Sequence, residues 1–224
     1  MTARRTLGVL ISGGGTNLQA ILDRVADGFL PCRVGLVLSN DPTAGGLERA
    51  RRARVTTAVV PHGEFGSRET FEQAITARLE EAGVDLVALA GFMRLLSPWF
   101  VRRWSGRLVN IHPALLPAFP GTHVQRQALA YGARFSGCTV HFVDEGTDTG
   151  PIIVQAVVPV LPDDSEESLA QRILAEEHRI YPQALRWIAE DRVRLDGRRV
   201  TIAHAAAFDS RTVVNPALDP PDAR

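Results

Sequence analysis

No lysine occurs anywhere in the 224 residues; all 25 basic side chains are arginine. That absence excludes Schiff-base and pyridoxal-phosphate lysines and the lysine of a Walker phosphate loop. Cysteine is almost as scarce. Cys32 and Cys138 stand far apart without Cys-x-x-Cys spacing, so they make neither a disulfide framework nor a zinc site. A Gly-x-Ser-x-Gly elbow is missing, and no cysteine-nucleophile signature is present. The longest N-terminal apolar run, "LGVLI", is too short for a signal peptide or a membrane span, so a cytoplasmic protein is expected. Net charge is lacking in either direction, since 25 basic residues balance 25 acidic ones. The one basic run, "ERARRAR" at 48–54, reads as a solvated helix face, and neither nucleic acid nor membrane is an expected partner.

What is present alternates between strand and helix. Apolar β-rich runs recur at 6–11, 33–39, 55–60, 84–91 and 107–112. Between them, 17–28 carries Leu18, Ile21, Leu22 and Val25 on one stripe, and 67–83 has a second helical pattern. Near-continuous apolar strands alternating with amphipathic helices indicate a Rossmann-like, doubly wound α/β fold, with a mostly parallel sheet and helices on both faces. From about residue 135 the pattern changes. Segments 135–143 and 151–160 read as successive strands, partly antiparallel, and a long helix from about Ser165 to Ala189 opens on the N-cap and acidic first turn of "SEES". "VRLDGRRVT" reads as a hairpin on an Asp-Gly turn. The length suits one domain, placed at 1–203, and the proline-rich segment 204–224 is expected to be an extended or poorly ordered tail.

Three stretches could carry chemistry. "LISGGGTNLQ" (10–19) sets three glycines between a strand and a helix, where backbone N–H groups can cradle a phosphate and Thr16 and Asn17 add donors. The dinucleotide fingerprint is not met, because Leu18 stands where its third glycine would be, and a ligand-free tight turn is the competing reading. In "LVNIHPALLPAFPGTH" (108–123) Asn110 and His112 lie two apart, hence on one side of a strand end. An amide donor beside an imidazole suits an oxyanion, although a capping histidine fits the same pattern. Prolines 113, 117 and 120 fix the exit path. "VDEGTDTGP" (143–151) crowds acids that need a cation or an imidazolium to answer them, unless it is simply a solvated acidic turn. His112, His123, His141 and these acids show no recognised ligand spacing, so no metal is expected.

Taken together, "SGGGTNLQAI", "LAGFMRLLSPWFV", "GRLVNIHPALLPAFPGTH", "TVHFVDEGTDTGPIIVQ" and "EEHRIYP" resemble, in order and spacing, the glycinamide ribonucleotide formyltransferases. These are members of the wider group of 10-formyltetrahydrofolate enzymes. The resemblance covers roughly residues 6–203; Ala114 stands where relatives commonly have Ser, and Gly14 fills the free position of the phosphate loop. It implies glycinamide ribonucleotide and 10-formyltetrahydrofolate as substrate and co-substrate, no metal, and purine biosynthesis as the setting; it admits a homodimer. By the same resemblance Asn110, His112 and Asp148 form the catalytic trio, and the loop 113–123 shapes the folate crevice. Gly15, Thr16 and Asn17 grip the substrate phosphate, with Glu177 reaching the ribose or glycinamide. Arg68, Met93, Arg94, Leu95 and Leu96 form the folate side with Asn110 and with Asp144, Glu145, Gly146 and Thr147, while Thr139 and His141 line the site. Methionyl-tRNA formyltransferases and formyltetrahydrofolate deformylases share the chemistry but carry an extra domain for which this length leaves no room, and a non-catalytic nucleotide-binding module would leave the trio unexplained.

Overall fold

The structure, a computed structural model, describes residues 5–205. The strands are β1 (Thr6–Ile11), β2 (Arg33–Ser39), β3 (Thr57–Val59), β4 (Leu86–Leu89), β5 (Leu108–His112), β6 (Phe135–Phe142), β7 (Ile152–Pro159), β8 (Val193–Asp196) and β9 (Arg199–Ile202). The helices are α1 (Thr16–Ala26), α2 (Gly45–Arg52), α3 (Arg68–Glu81), α4 (Pro98–Arg103), α5 (Val124–Tyr131) and α6 (Glu166–Ala189). Seven strands form one sheet in the order β3-β2-β1-β4-β5-β6-β7. The first five run parallel, while β6 is antiparallel to both β5 and β7. The doubly wound sheet and its antiparallel C-terminal part are thus as the pattern of apolar runs predicts. The Asp-Gly turn closes the separate β8–β9 hairpin with Gly197 at φ +56°. Of the tail expected at 204–224, residues 206–224 lie outside the described residues.

Strand alternation divides the core in two. Leu7, Val9 and Ile11 point to one face, where Leu18 and Ile21 of α1, Leu47 of α2, Ala128 of α5 and Ile173 and Tyr181 of α6 cover them. Leu10, Leu36 and Leu38 point to the other, against Phe71, Ile75 and Leu79 of α3 and Phe100 of α4. Burial of this apolar area from water is the main force holding each helix layer on the sheet. Gly8 permits the close seating of α3, since a Cβ there would lie 2.6 Å from Leu79 and 2.9 Å from Val84. Tyr181, fully buried on α6, spans the sheet ends with its hydroxyl beside both Leu89 O (2.9 Å) and Val109 O (3.1 Å).

Candidate active site

The chain leaves β1 toward β2 and leaves β4 toward β5, in opposite directions along the sheet, so the crevice of a doubly wound fold opens at the carboxyl ends of these two neighbours. Ser12 binds the ends together. Its Oγ–H donates to Asn40 Oδ1 after β2 (2.5 Å), its Oγ accepts from Met93 N after β4 (2.8 Å), and its N–H donates to Gly91 O (3.0 Å).

The glycine loop follows. Gly15 occupies the N-cap of α1 in the left-handed region (φ 72°) with no side-chain cap, which leaves the helix's first-turn N–H groups for an external acceptor. A Cβ on Gly15 would stand 2.7 Å from Gly46 Cα, and Gly46 N donates to Gly13 O (3.0 Å), so the loop rests on the backbone of α2. Arg49 turns back from the basic run to donate from Nε to Gly14 O (2.7 Å), and no carboxylate among the described residues pairs with it. Thr16 is exposed, and Asn17 Nδ2 donates to Glu177 Oε2 across from α6 (2.7 Å). Burial pushes the Glu177 carboxyl up in pKa, and the Asn17 hydrogen bond opposes that rise.

The second cluster straddles β5 and β6. Asn110 faces His141 and His112 faces Thr139 in the antiparallel register, so the four share one side of the sheet. His141 Nδ1 lies 2.8 Å from Phe142 O and donates to it, leaving Nε2 to accept from Asn110 Nδ2 at 3.3 Å. Burial lowers the His141 pKa, which favours this neutral ring. His112 is 4% exposed, with Nε2 at 2.9 Å from Phe119 O and Nδ1 at 3.4 Å from Asp148 Oδ2. Both nitrogens therefore face acceptor oxygens. Asp148 Oδ2 also accepts from Gly121 N (2.8 Å), and its Oδ1 lies 3.9 Å from His141 Nε2. The proline-framed loop is thus clasped over the imidazole at residues 119 and 121. Thr139 holds that loop from beneath: its buried hydroxyl donates to Ala114 O (2.7 Å) and accepts from Leu116 N (3.1 Å) and Gln155 Nε2 (3.0 Å). Every hydrogen-bonding capacity of Thr139 goes to the frame, and its side chain supports the site rather than lining it.

The acids of 144–148 are each answered. Asp144 Oδ1 accepts from Gly146 N (3.1 Å) and Thr149 Oγ1 (2.6 Å), Glu145 pairs with Arg102 (2.9 Å), and Asp148 meets the histidines. Arg198, at the β8–β9 turn, donates to Thr149 O (2.7 Å). At the end of β4, Met93 and Leu95 are 72% and 64% exposed, Arg94 is exposed and Leu96 half-buried. Arg68 opens α3, exposed and without an ion-pair partner among the described residues; no hydrogen bond there joins it to the cluster of Asn110, His112 and Asp148. Among the described residues no group of three or more His, Cys, Asp or Glu is placed to hold a metal ion. Burial pushes the Cys138 thiol up to about 12, far from thiolate chemistry. Ser12, Asn40 and Arg49 escape a reading of motifs. Only the position of Ser12 directly before the glycines and of Arg49 three residues after Gly46 hints at them.

Among the described residues, the amide of Asn110 beside the His112–Asp148 pair is an arrangement suited to stabilising an oxyanion, as in acyl transfer. The chain matches the formyl transferase family over residues 5–185 and belongs to that family. It is 45% identical to the phosphoribosylglycinamide formyltransferase of Escherichia coli over 199 residues, 86% of this chain and 94% of that protein. It is 56% identical over 184 residues to the trifunctional purine biosynthetic protein adenosine-3 of Drosophila melanogaster; that match spans 81% of this chain and only 14% of the length of the insect protein. Among solved structures, glycinamide ribonucleotide transformylase 1 from Symbiobacterium toebii superposes with a TM-score of 0.89 at 54% identity, covering 91% of this chain and 96% of that one.

Proposed function

We infer that the chain transfers the formyl group of 10-formyltetrahydrofolate to the glycyl amine of glycinamide ribonucleotide, giving N-formylglycinamide ribonucleotide and tetrahydrofolate in purine biosynthesis. Its similarity to proteins named for this activity supports the reading. The observation that carries it is the geometry at β5: one Nδ2–H of Asn110 is held by His141, leaving the other free for an oxyanion beside the His112–Asp148 pair. The neutral glycyl amine attacks the formyl carbon, a C–N bond forms and the carbonyl π electrons move to oxygen. Asn110 and the imidazolium of His112 stabilise that oxyanion, while Asp148 keeps the imidazole charged and oriented. Collapse re-forms the carbonyl and breaks the bond to the folate nitrogen, which receives the proton given up by the amine, through His112 or water. Because His112 Nε2 faces Phe119 O, residue 119 gives way before that nitrogen reaches the reacting atoms.

Gly15, Thr16 and Asn17 hold the phosphate at the α1 N-terminus, with Glu177 toward the ribose or glycinamide. The exposed Met93–Leu96 segment, loop 144–147 and the unpaired Arg68 take the folate, Arg68 answering its carboxylates. Both substrates are small soluble metabolites, which suits a cytoplasmic location. Incubation of the purified chain with 10-formyltetrahydrofolate should yield tetrahydrofolate only when glycinamide ribonucleotide is added, one formylated product per folate consumed. Release of formate at the same rate without the amine would make it a hydrolase, and formylation of methionyl-tRNA instead would move it to that sister activity.

A further inference from the structure

Glu72 is fully buried at 0% exposure and has none of the roles assigned above. No ion pair with it occurs among the described residues. Its carboxylate is instead spent on one residue: Oε1 accepts from Ser97 N (2.7 Å) and Oε2 accepts from Ser97 Oγ. Ser97 is itself buried and caps α4, its Oγ accepting from Phe100 N (3.3 Å). It also ends the exposed segment 93–96. The other end of that segment is fixed by the hydrogen bond from Met93 N to Ser12 Oγ (2.8 Å). The segment is therefore held at both ends, with Arg94 and Leu95 presented between the anchors. A buried carboxyl group fits this double contact, with one oxygen for the backbone N–H and one for the hydroxyl of Ser97. Two hydrogen bonds to one residue, one of them to its backbone N–H, suit an anchor that must hold a backbone path. Glu72 also lies one turn after Arg68 on the same helix, so a single α3 turn links the two parts of the folate side.

We propose that Glu72 is a positioning residue for folate: through Ser97 it sets the path of Met93–Leu96 and fixes that segment relative to Arg68. The proposal rests on the reading of 93–96 as the folate side. Glu72→Leu keeps most of the buried volume and removes both acceptors, while Glu72→Gln keeps an acceptor for Ser97 N. Ser97→Ala approaches the same contact from the other partner and leaves Glu72 in place.

Steady-state kinetics on the full chain, with amide hydrogen exchange read over 93–97, tests the idea. Glu72→Leu should raise KM for 10-formyltetrahydrofolate on the order of tenfold, the scale of the two hydrogen bonds lost. KM for glycinamide ribonucleotide should stay within about twofold, and exchange over 93–97 should accelerate. Glu72→Gln should restore most of the folate KM, and Ser97→Ala should move it in the same direction if Glu72→Leu does not fold. Unchanged folate KM with unchanged exchange would overturn the proposal, as would an equal rise in both KM values. Accelerated exchange with an unchanged folate KM would overturn the proposal together with the folate reading of 93–96, leaving Glu72 only as an anchor of that segment.

Discussion

The amide of Asn110 is aimed by a ring that has to stay neutral. With Nδ1–H of His141 given to Phe142 O, only Nε2 can receive Asn110, and a proton there would turn the acceptor into a competing donor. Burial opposes that proton first, and the charge of His112 opposes it further, although Asp148 works in the other direction. Removing the amide should therefore act on the transition state. Asn110→Ala is expected to lose roughly 10²–10³ in kcat, the usual scale for one oxyanion donor, with folate affinity changed much less. Kinetics at saturating concentrations of both substrates checks this; a variant keeping most of its kcat would remove Asn110 from the mechanism. Asn110 and His112 are legible in the sequence because two residues apart on a strand means one side of it. His141 is harder to place, because its register opposite Asn110 depends on β6 turning antiparallel.

Between residue and molecule, the glycine loop works as part of three elements: β1 delivers it, α1 begins on it and α2 lies against it. Gly15→Val would force a Cβ toward Gly46 Cα at 2.7 Å and strain a backbone at φ 72°. The loop would have to move off the α1 axis, and KM for glycinamide ribonucleotide should rise roughly 5- to 150-fold on the scale of about 1–3 kcal/mol for such strain. A substrate without its phosphate should be poor with the parent enzyme and little worse with the variant; equal losses on both would reduce the loop to a structural turn. The strand runs were legible because buried parallel strands are almost wholly apolar, although β3 and β4 shrink to Thr57–Val59 and Leu86–Leu89 inside the longer runs 55–60 and 84–91. Two helices were not placed. α4 is 6 residues long, too short to show a period, and α5 has His123 at its N-cap in the left-handed region, with no side-chain cap. α3 was found, yet its inward face mixes Glu72 and Thr76 with Phe71, Ile75 and Leu79, so the role of that face is invisible to an apolar stripe.

For the molecule as a whole, the buried histidine makes acid destabilising. His141 ionises near 6.5 when unfolded and below that when folded, so the unfolded chain binds more protons between the two values. Stability from this group is complete above about 6.5 and is lost as pH falls through the lowered folded pKa. His178 shifts in the same direction through burial, while the raised pKa of Glu177 acts oppositely, favouring the folded state as pH falls toward 4.5. The comparison that isolates His141 is with His141→Asn. The Tm advantage of the parent chain over that variant should shrink between pH 7 and pH 5; an advantage that grows toward acid would mean that the ring is charged when folded. The hydrogen bond from Asn17 to Glu177 joins residues 160 apart in sequence, and it couples the first helix to the last long one. Contacts of such separation carry a high loop-closure cost. During synthesis, residues 110 and 141 are both available to pair before residue 177 exists to meet Asn17. The glycine loop of a nascent chain therefore lacks its Glu177 neighbour until all but the last 47 residues have been made.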